Sequence, residues 1–344
     1  MSSEPHDGRV AHPFAVRCSP DLEQSLAHTV DWHLGYGVIG DAEGATYPID
    51  RFVKIETTRL VAQGWPYARG ADLDLLADFM GMAAITDEPF DGPLGRDPIQ
   101  TAHVISQAAE IFHTEDRADL PPYLAALADI WDRSRQGMSR SWCERAAYNY
   151  DQWLYAHVHE ARGRVRGTPE QFEDYLVIRR GSGGMGIVFD FMERTGGFEV
   201  PPAAFHSPEL RRMRDLTEDI SLLTNDLISA PKEEMVGDID NLVLVRKHEL
   251  GCTRDEAMRL VAEDTEQMID RFCALESGLP ALCEQIGLGA AATDAVHRYG
   301  AAMRLWLGGS IDWYYTSFRY SLEYARTQSR TANGHRAWQL APSR

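Results

Sequence analysis

Cysteine and positive charge are both scarce in this chain, and each scarcity excludes a class of protein. There are five cysteines in 344 residues, with no pair spaced C-x-x-C. This pattern indicates reduced thiols and argues against a disulfide framework or a zinc site. Lys and Arg number 34 against 52 Asp and Glu, which gives a net charge of −18. That balance argues against nucleic acid or an anionic membrane as a partner. An anionic ligand would need a local cluster of cations or metal ions.

Long apolar runs are also lacking, so we expect no membrane span. The first residues, Met-Ser-Ser-Glu-Pro-His-Asp-Gly, contain no basic segment followed by an apolar core, and we therefore expect no signal peptide. Together with the reduced cysteines, this predicts a cytoplasmic protein. The oligomeric state stays open, and a homodimer is compatible with the sequence.

Convincing period-2 strands are missing, whereas helical periodicity occurs almost everywhere. The segment Tyr175-Leu176-Val177-Ile178 could be a strand, but it has no neighbouring candidate to pair with. We predict a flexible arm over residues 1–19, one all-α domain over 20–325, and a polar tail over 326–344. Helical patterns cover 21–34, 50–63, 71–86, 99–113, 121–136, 139–162, 208–230, 254–276 and 291–318.

The segment Thr224-Asn225-Asp226-Leu227-Ile228-Ser229-Ala230-Pro231-Lys232-Glu233 is the most informative in the chain. Asn225, Ser229 and Glu233 recur every four residues, so a helix keeps them on one face. An amide oxygen, a hydroxyl and a carboxylate on one face suit Mg²⁺. Lys232 adds a cation that would suit a metal-bound diphosphate. A solvent-facing polar helix is the alternative, although it does not explain these residue types together in an otherwise apolar run.

An acidic segment, Asp87-Glu88-Pro89-Phe90-Asp91, follows the apolar stretch Leu75 to Ile85. Asp87 and Asp91 are four residues apart, so both carboxylates could reach one cluster of divalent ions. The pattern alone is weak, since an acidic helix end before the loop Gly92-Pro93 would look the same.

A third segment, Arg179-Arg180-Gly181-Ser182-Gly183-Gly184-Met185-Gly186, contains the spacing G-x-G-x-x-G. A dinucleotide site with that spacing needs a βαβ unit, and the surroundings here are helical.

Near the end of the chain, Trp306 and Trp313 precede the pair Arg319-Tyr320. Arg offers a forked donor for phosphate oxygens and Tyr adds another donor. The two Trp side chains could be core, or could line a cavity in which their rings stabilise a carbocation.

These four segments resemble, in order and spacing, the motifs of bacterial class I terpene synthases, which ionise and cyclise isoprenoid diphosphates. N-D-x-x-S-x-x-K-E is similar to the family's second metal motif and Asp87 to Asp91 to its aspartate-rich motif. The resemblance implies that Asp87, Asp91, Asn225, Ser229 and Glu233 bind metal. It further implies that Arg179, 46 residues before Asn225, senses the diphosphate, and that Lys232, Arg319 and Tyr320 bind it. Ser182 and Gly183 would form the family's helix break, since glycine carries no Cβ penalty.

The implied fold is a single-domain helical bundle around a central apolar cavity. The implied cofactor is Mg²⁺, with three ions, and the implied partner is an isoprenoid diphosphate. Bound metal and cations would neutralise the leaving diphosphate. We expect farnesyl diphosphate as the substrate and a sesquiterpene as the product, with C20 geranylgeranyl diphosphate as the alternative. A prenyl diphosphate synthase, which carries two aspartate-rich motifs, and a non-catalytic helical binding protein are further alternatives.

Two positions depart from the family pattern. Glu88 stands where the commonest form has a second aspartate, so the sequence leaves its role open. Ala83 and Ala84, in the string Gly81-Met82-Ala83-Ala84, stand where family members commonly place bulky aromatics. Smaller walls predict a roomier or differently shaped pocket.

Overall fold

The computed structural model describes residues 8–41, 47–90, 92–168, 170–237, 240–321 and 323–324. Within these ranges the chain forms α-helices and short 3₁₀ turns and contains no strand. This confirms the predicted all-α fold class.

The helices of the described ranges, numbered in chain order, are α1 (Leu22–Gly35), α2 (Ile49–Lys54), α3 (Thr57–Gly64), α4 (Gly70–Phe90), α5 (Pro98–Ala109), α6 (Pro122–Ser134), α7 (Arg140–Arg166), α8 (Phe172–Ser182), α9 (Met185–Gly196), α10 (Pro202–Phe205), α11 (Pro208–Val236), α12 (Leu242–Leu250), α13 (Arg254–Gln285) and α14 (Ala290–Thr316). The 3₁₀ turns are Leu94–Arg96, Glu110–Phe112 and Phe318–Tyr320.

Several local features differ from the sequence prediction. The predicted helix over 50–63 is two helices, α2 and α3, because Glu56 between them has a left-handed backbone with φ of 55°. The strand-like tetrapeptide 175–178 lies inside α8. The helix predicted over 254–276 is longer than expected, since α13 continues through Gly278-Leu279-Pro280 to Gln285. Helices α9 and α12 were not predicted. Each follows closely on glycine or a short loop, and such a sequence indicates a break between helices rather than the start of one.

The long helices begin at side-chain caps that the sequence supplies. Ser139 caps α7 by accepting a hydrogen bond from the backbone N–H of Trp142 at 3.1 Å. Ser207 caps α11 by accepting one from Leu210 at 3.2 Å, and proline follows it in the first turn. Such caps satisfy N–H groups that have no partner within the helix. Both helices end at a glycine with positive φ, Gly167 and Gly237, which is a common helix stop.

Two helices of the cavity wall contain a proline near their C-terminal end: Pro89 in α4 and Pro231 in α11. Proline has no backbone N–H, so each helix lacks one hydrogen bond to the residue four positions earlier. Helix α11 nevertheless continues past Pro231 to Val236. Glu233 therefore lies on the same helix as Asn225 and Ser229.

The helices pack around a central space. Helix α11 packs against α13 and α14, α14 packs against α3, and α4 packs against α1, α3 and α6. Helix α7 contacts α5, α8 and α9. Residues of α3, α4, α7, α8, α9, α11 and α14 line this space.

The segment before α1 is packed on the bundle from Gly8 onward. Val10 and Phe14 are each 5% exposed, and the backbone N–H of Val10 donates to the Tyr315 hydroxyl at 2.8 Å. Residues 8–19 are thus held in place, in contrast to the flexible arm predicted over 1–19. Residues 1–7 and the predicted tail lie outside the described residues, and the predicted domain boundaries stay a prediction. Among the described helices, none has the length and apolarity that crossing a membrane requires.

Glycine sets the close contact between α3 and α14. A Cβ built on Gly309 would lie 2.5 Å from the Gln63 carbonyl carbon, and one on Gly64 would lie 2.7 Å from the Trp306 ring. A backbone atom cannot rotate away as a side chain can. The separation of these two helices therefore depends on the missing side chain at Gly309.

We predict that Gly309→Ala destabilises the protein by about 1–3 kcal/mol, because the new methyl group forces α3 and α14 apart. Gly278→Ala is the matched control, since nothing lies within 4 Å of its built Cβ. It should stabilise by about 0.5–1 kcal/mol through lower chain entropy in the unfolded state. Urea unfolding measures both free energies, and equal effects from the two substitutions would contradict the packing argument.

Candidate active site

A cavity of about 890 Å³, a volume that includes the space at its open mouth, lies between the helices. Apolar and aromatic side chains line most of it, and polar groups collect at one end. The lining residues are Thr57, Leu60, Phe79, Met80, Ala83, Ala84, Asp87, Trp153, Arg179, Ser182, Gly183, Gly184, Met185, Val188, Leu222, Asn225, Trp306, Trp313, Tyr314, Arg319 and Tyr320.

Asp87 lies in the last turns of α4 and faces the cavity. Its Oδ2 is 3.7 Å from Arg319 Nη2, and its Oδ1 is 3.9 Å from His157 Nε2. Burial raises the pKa of Asp87, while the charges of His157 and Arg319 oppose that shift. The carboxylate therefore lies beside the Arg319 guanidinium at the cavity wall.

Glu88 faces away from the cavity, into a cage of three side chains. Its Oε1 accepts hydrogen bonds from the hydroxyls of Tyr47 at 2.9 Å and Tyr324 at 2.7 Å, and it lies 2.6 Å from Arg51 Nη2. The Arg51 guanidinium also lies over the Tyr324 ring at 4.8 Å. Glu88 is thus an anchor for the chain just beyond the 3₁₀ turn Phe318–Tyr320. Asp91, the other acidic residue predicted to bind metal, lies outside the described residues.

Arg179 is held by α11. Its Nε and Nη2 donate to Asp226 Oδ1 at 3.1 and 3.0 Å, and Nη2 also donates to Asn225 Oδ1 at 3.1 Å. Burial disfavours the charge of Arg179, but Asp226, Tyr175 and Glu160 together outweigh it, and the pKa of Arg179 is raised well above its usual value. Arg180 points elsewhere and pairs with Asp219 at 2.8 Å. Only the first of the two adjacent arginines lines the cavity.

The chain direction changes where the glycine-rich segment was predicted to break the helix. Helix α8 ends at Ser182, Gly184 has a left-handed φ of 63°, and α9 begins at Met185. A Cβ on Gly183 would lie 2.3 Å from the Leu222 side chain. The break brings Ser182, Gly183 and Gly184 to the cavity wall beside Arg179. These glycines do not form a dinucleotide-binding site, since no βαβ unit surrounds them in the described part of the chain.

The three predicted metal ligands of α11 share one helix face, but they differ in environment. Asn225 lines the cavity, and its Nδ2 donates to the Tyr320 hydroxyl at 2.7 Å. Ser229 and Glu233 follow one and two turns further along and do not line the described cavity. Both accept hydrogen bonds from Asn241 Nδ2, at 3.1 Å to Ser229 Oγ and 2.7 Å to Glu233 Oε2.

The predicted diphosphate-binding residues converge on the same end of the bundle. Arg319 and Tyr320 lie in the 3₁₀ turn after α14 and face the cavity. Burial disfavours the charge on Arg319, but nearby acidic groups, among them Tyr324, Tyr320 and Asp87, raise its pKa above the usual range. Lys232 Nζ is 5.6 Å from the centre of the Tyr324 ring. Arg179 and Arg319 thus line the cavity of an acidic protein, whereas Lys232 does not line it.

Both tryptophans are cavity residues and core residues at once. Trp306 is 3% exposed, and its ring packs at a tilt against that of Trp65. Its Nε1 donates to Ser221 Oγ at 3.1 Å. Trp313 is 3% exposed and donates to the Glu56 carbonyl at 2.9 Å. These bonds fix the ring planes against the cavity. Ala83 and Ala84 line the cavity from α4. Gly81 of the same helix does not line it and lies against His33 and Phe52.

The donor set fits a hard divalent cation. Asp87 Oδ1 is buried and accepts no hydrogen bond from a described residue, and Asn225, Ser229 and Glu233 add neutral and anionic oxygens. Oxygen ligands of this kind suit Mg²⁺. The described residues contain no cluster of three His, Cys, Asp or Glu side chains placed to hold a metal. A ligand set that relies on amide and hydroxyl oxygens would not form such a cluster.

Several residues of the site were missed by sequence reasoning. Asp226, the partner of Arg179, is adjacent to Asn225 and looked like an ordinary helix residue. Trp153, Phe79 and Leu222 line the cavity, but their apolar periodicity only predicts burial. Asn241 lies outside every motif, and the one signal for it was its place as a helix-capping residue before an apolar run.

The comparisons with known proteins agree with this geometry. A family model described as "Terpene synthase family 2, C-terminal metal binding" matches residues 78–271. Pentalenene synthase of Streptomyces arenae is 32% identical over 93% of this chain and 95% of its own length. A (-)-beta-caryophyllene synthase of Saccharothrix espanaensis, described as (2E,6E)-farnesyl diphosphate cyclizing, is 32% identical over 92% of this chain and 90% of its own. The crystal structure of germacradien-4-ol synthase from Streptomyces citricolor superposes with a TM-score of 0.82 at 34% identity, covering 90% of this chain and 98% of that one.

The chain therefore belongs to the terpene synthase family. It is an enzyme, a lyase that acts on isoprenoid diphosphates, and its C-terminal metal-binding region implies a divalent metal. Family membership sets aside the prenyl diphosphate synthase and the non-catalytic binding protein. Both had remained open from the sequence.

We predict opposite consequences for the two adjacent acidic residues of α4. Asp87→Asn should lower turnover about 100-fold or more, because an anionic oxygen is lost at the cavity, with little change in stability. Glu88→Gln should destabilise by about 1–3 kcal/mol, because the Arg51 guanidinium loses its charged partner, while turnover stays within about tenfold. Steady-state kinetics and thermal unfolding of both variants test this pair, and a catalytic loss in Glu88→Gln as large as in Asp87→Asn would contradict the assignment.

Proposed function

We propose that this enzyme ionises and cyclises farnesyl diphosphate to a cyclic sesquiterpene with release of diphosphate. The observation that carries the proposal is a single cavity whose apolar interior opens, at one end, onto Asp87, Arg179, Asn225, Arg319 and Tyr320. An amphiphile with a diphosphate head and a flexible hydrocarbon chain matches that division. The name of the caryophyllene synthase relative, which specifies (2E,6E)-farnesyl diphosphate, supports the C15 chain length.

The side chains divide the work by their positions. Arg179, Arg319 and Tyr320 would orient the diphosphate, since a forked guanidinium matches phosphate oxygens. Asp87, Asn225, Ser229 and Glu233 would hold Mg²⁺, with three ions and Asp91 as a further ligand. When bound, Mg²⁺ stabilises the negative charge that develops on the departing diphosphate. Lys232 would add charge at the same opening.

The apolar walls would control the hydrocarbon chain after ionisation. Trp306 and Trp313 are fixed by hydrogen bonds, so their ring faces keep one orientation toward the cavity. A ring face attracts a nearby cation through its quadrupole. The helix break at Ser182 and Gly183 would act beside Arg179, turning backbone oxygen toward the developing charge. The enclosure excludes water, which would otherwise quench the cation.

The setting of the enzyme is also part of the proposal. The reduced cysteines support a cytoplasmic location, and the acidic surface supports an enzyme that binds no nucleic acid. A homodimer stays a prediction, which analytical ultracentrifugation of the full chain would test.

The function is tested by incubating the purified protein with Mg²⁺ and C10, C15 and C20 isoprenoid diphosphates, followed by volatile analysis. We expect C15 to be consumed fastest and to give a cyclic hydrocarbon or alcohol. Asn225→Leu should abolish turnover and keep the fold, because it removes a metal ligand but preserves side-chain volume. Faster cyclisation of the C20 diphosphate would replace the C15 assignment with the C20 alternative, and full activity of Asn225→Leu would refute the metal-site assignment.

Chain-length selection is tested by placing a larger side chain on the part of the cavity wall that α4 forms. We predict that Ala83→Phe changes the product profile and lowers kcat/KM for the C20 diphosphate at least about tenfold more than for C15, since the new ring occupies cavity volume. Ala71→Phe, on the exposed first turn of α4, is the matched control and should leave products unchanged. Identical product mixtures from wild type and Ala83→Phe would remove the pocket argument.

A further inference from the structure

Asn241 connects the metal-binding helix to the helix that follows it. The residue is fully buried and precedes α12. Its Oδ1 accepts hydrogen bonds from the backbone N–H groups of Val243 at 2.8 Å and Leu244 at 3.2 Å. One half of the side-chain amide is thus committed to capping α12, which fixes the direction of the other half.

The NH₂ half of the amide faces α11. It lies within hydrogen-bond distance of three oxygens: Ser229 Oγ at 3.1 Å, Glu233 Oε2 at 2.7 Å and the Asp226 carbonyl at 2.9 Å. Two of these acceptors are side chains predicted to bind metal. The amide therefore sets the relative position of two oxygens that are one helical turn apart.

The same junction also reaches the diphosphate-binding arginine. The backbone N–H of Leu242, the residue after Asn241, donates to Asp226 Oδ2 at 2.8 Å, and the other oxygen of that carboxylate holds Arg179. One short stretch of chain thus fixes Asp226 for Arg179 and fixes Ser229 and Glu233 for metal. A carboxylate or a hydroxyl can accept a hydrogen bond and bind a cation at once, because each oxygen has more than one lone pair.

We propose that Asn241 is a positioning residue that holds Ser229 and Glu233 in the arrangement required for divalent metal. A neutral donor suits this task, because an ammonium or guanidinium group at the same place would compete with the metal for Glu233. An asparagine also performs the capping and the positioning with one rigid group. The proposal rests on the proposed metal-dependent function and adds to it a residue that touches neither substrate nor metal.

The test uses the full-length protein and inorganic diphosphate, with titration calorimetry at increasing Mg²⁺. Asn241→Ser keeps a neutral cap for α12 but has no NH₂ group. We expect the Mg²⁺ concentration for half-maximal diphosphate binding to rise about tenfold or more, in the range typical of lost supporting contacts to metal ligands. The melting temperature without metal should fall by only a few degrees. Asn241→Asp, which keeps both size and cap and lacks the donor, should show the same loss of diphosphate binding.

Asn149→Ser is the matched control. Its Nδ2 also donates to a carboxylate at 2.7 Å, that of Asp190, but Asp190 does not line the cavity. This variant should lose stability and keep the wild-type Mg²⁺ dependence. An unchanged Mg²⁺ dependence in folded Asn241→Ser overturns the proposal, and so does failure of both Asn241 variants to fold, which would assign the residue to folding alone. If the wild-type protein binds no diphosphate with Mg²⁺, the proposed function itself fails, which separates the two outcomes.

Discussion

The Asp226 carboxylate is the contact on which the rest of the site depends. One oxygen holds Arg179 of α8 and the other holds the first turn of α12. A buried carboxylate without partners would be costly, and here each oxygen has a donor. The charge pair keeps Arg179 charged inside the bundle and fixes its side chain at the cavity wall. Removing this carboxylate would leave the guanidinium without its main partner and would remove one of the hydrogen bonds that join α12 to α11.

The arrangement also resolves the conflict between an acidic protein and an anionic ligand. The net charge of −18 is carried over the whole chain, whereas Arg179 and Arg319 both line one cavity. Since interactions between exposed charges are screened over about 8–10 Å at physiological salt, distant surface carboxylates have little effect at the opening. The local cations, together with the metal that α4 and α11 are proposed to hold, would determine the potential there. Composition argues against nucleic acid as a partner, but it could not reveal this local reversal.

Sequence reasoning was most successful where function requires several residue types at fixed spacing. Asn225, Ser229 and Glu233 share one helix face, and Arg179 and Arg319 face one cavity with Asp87. It failed where contacts join segments distant in the chain. Glu88 looked like a member of the metal motif, yet it is bound by Tyr47 and Tyr324, which lie 41 and 236 residues away. Asn241 is invisible to periodicity for the same reason, since its role depends on how α12 folds back against α11. The predicted end of a helix at residue 276 was wrong for a different reason. Packing against neighbouring helices maintains α13 through Gly278-Leu279-Pro280, although these residues favour a break.

Pro89 and Pro231 give the two walls that are proposed to bind metal a shared mechanical property. Pro89 follows Asp87 by two residues and Pro231 follows Ser229 by two residues, and each proline removes a backbone hydrogen bond near the C-terminal end of its helix. On α11 this separates Asn225 and Ser229, which precede Pro231, from Glu233, which follows it. The Asn241 amide reaches Ser229 on one side of the proline and Glu233 on the other, so it bridges the position at which the helix lacks its own bond. The spacing of these oxygens therefore depends on a side chain from the next helix as well as on the backbone of α11.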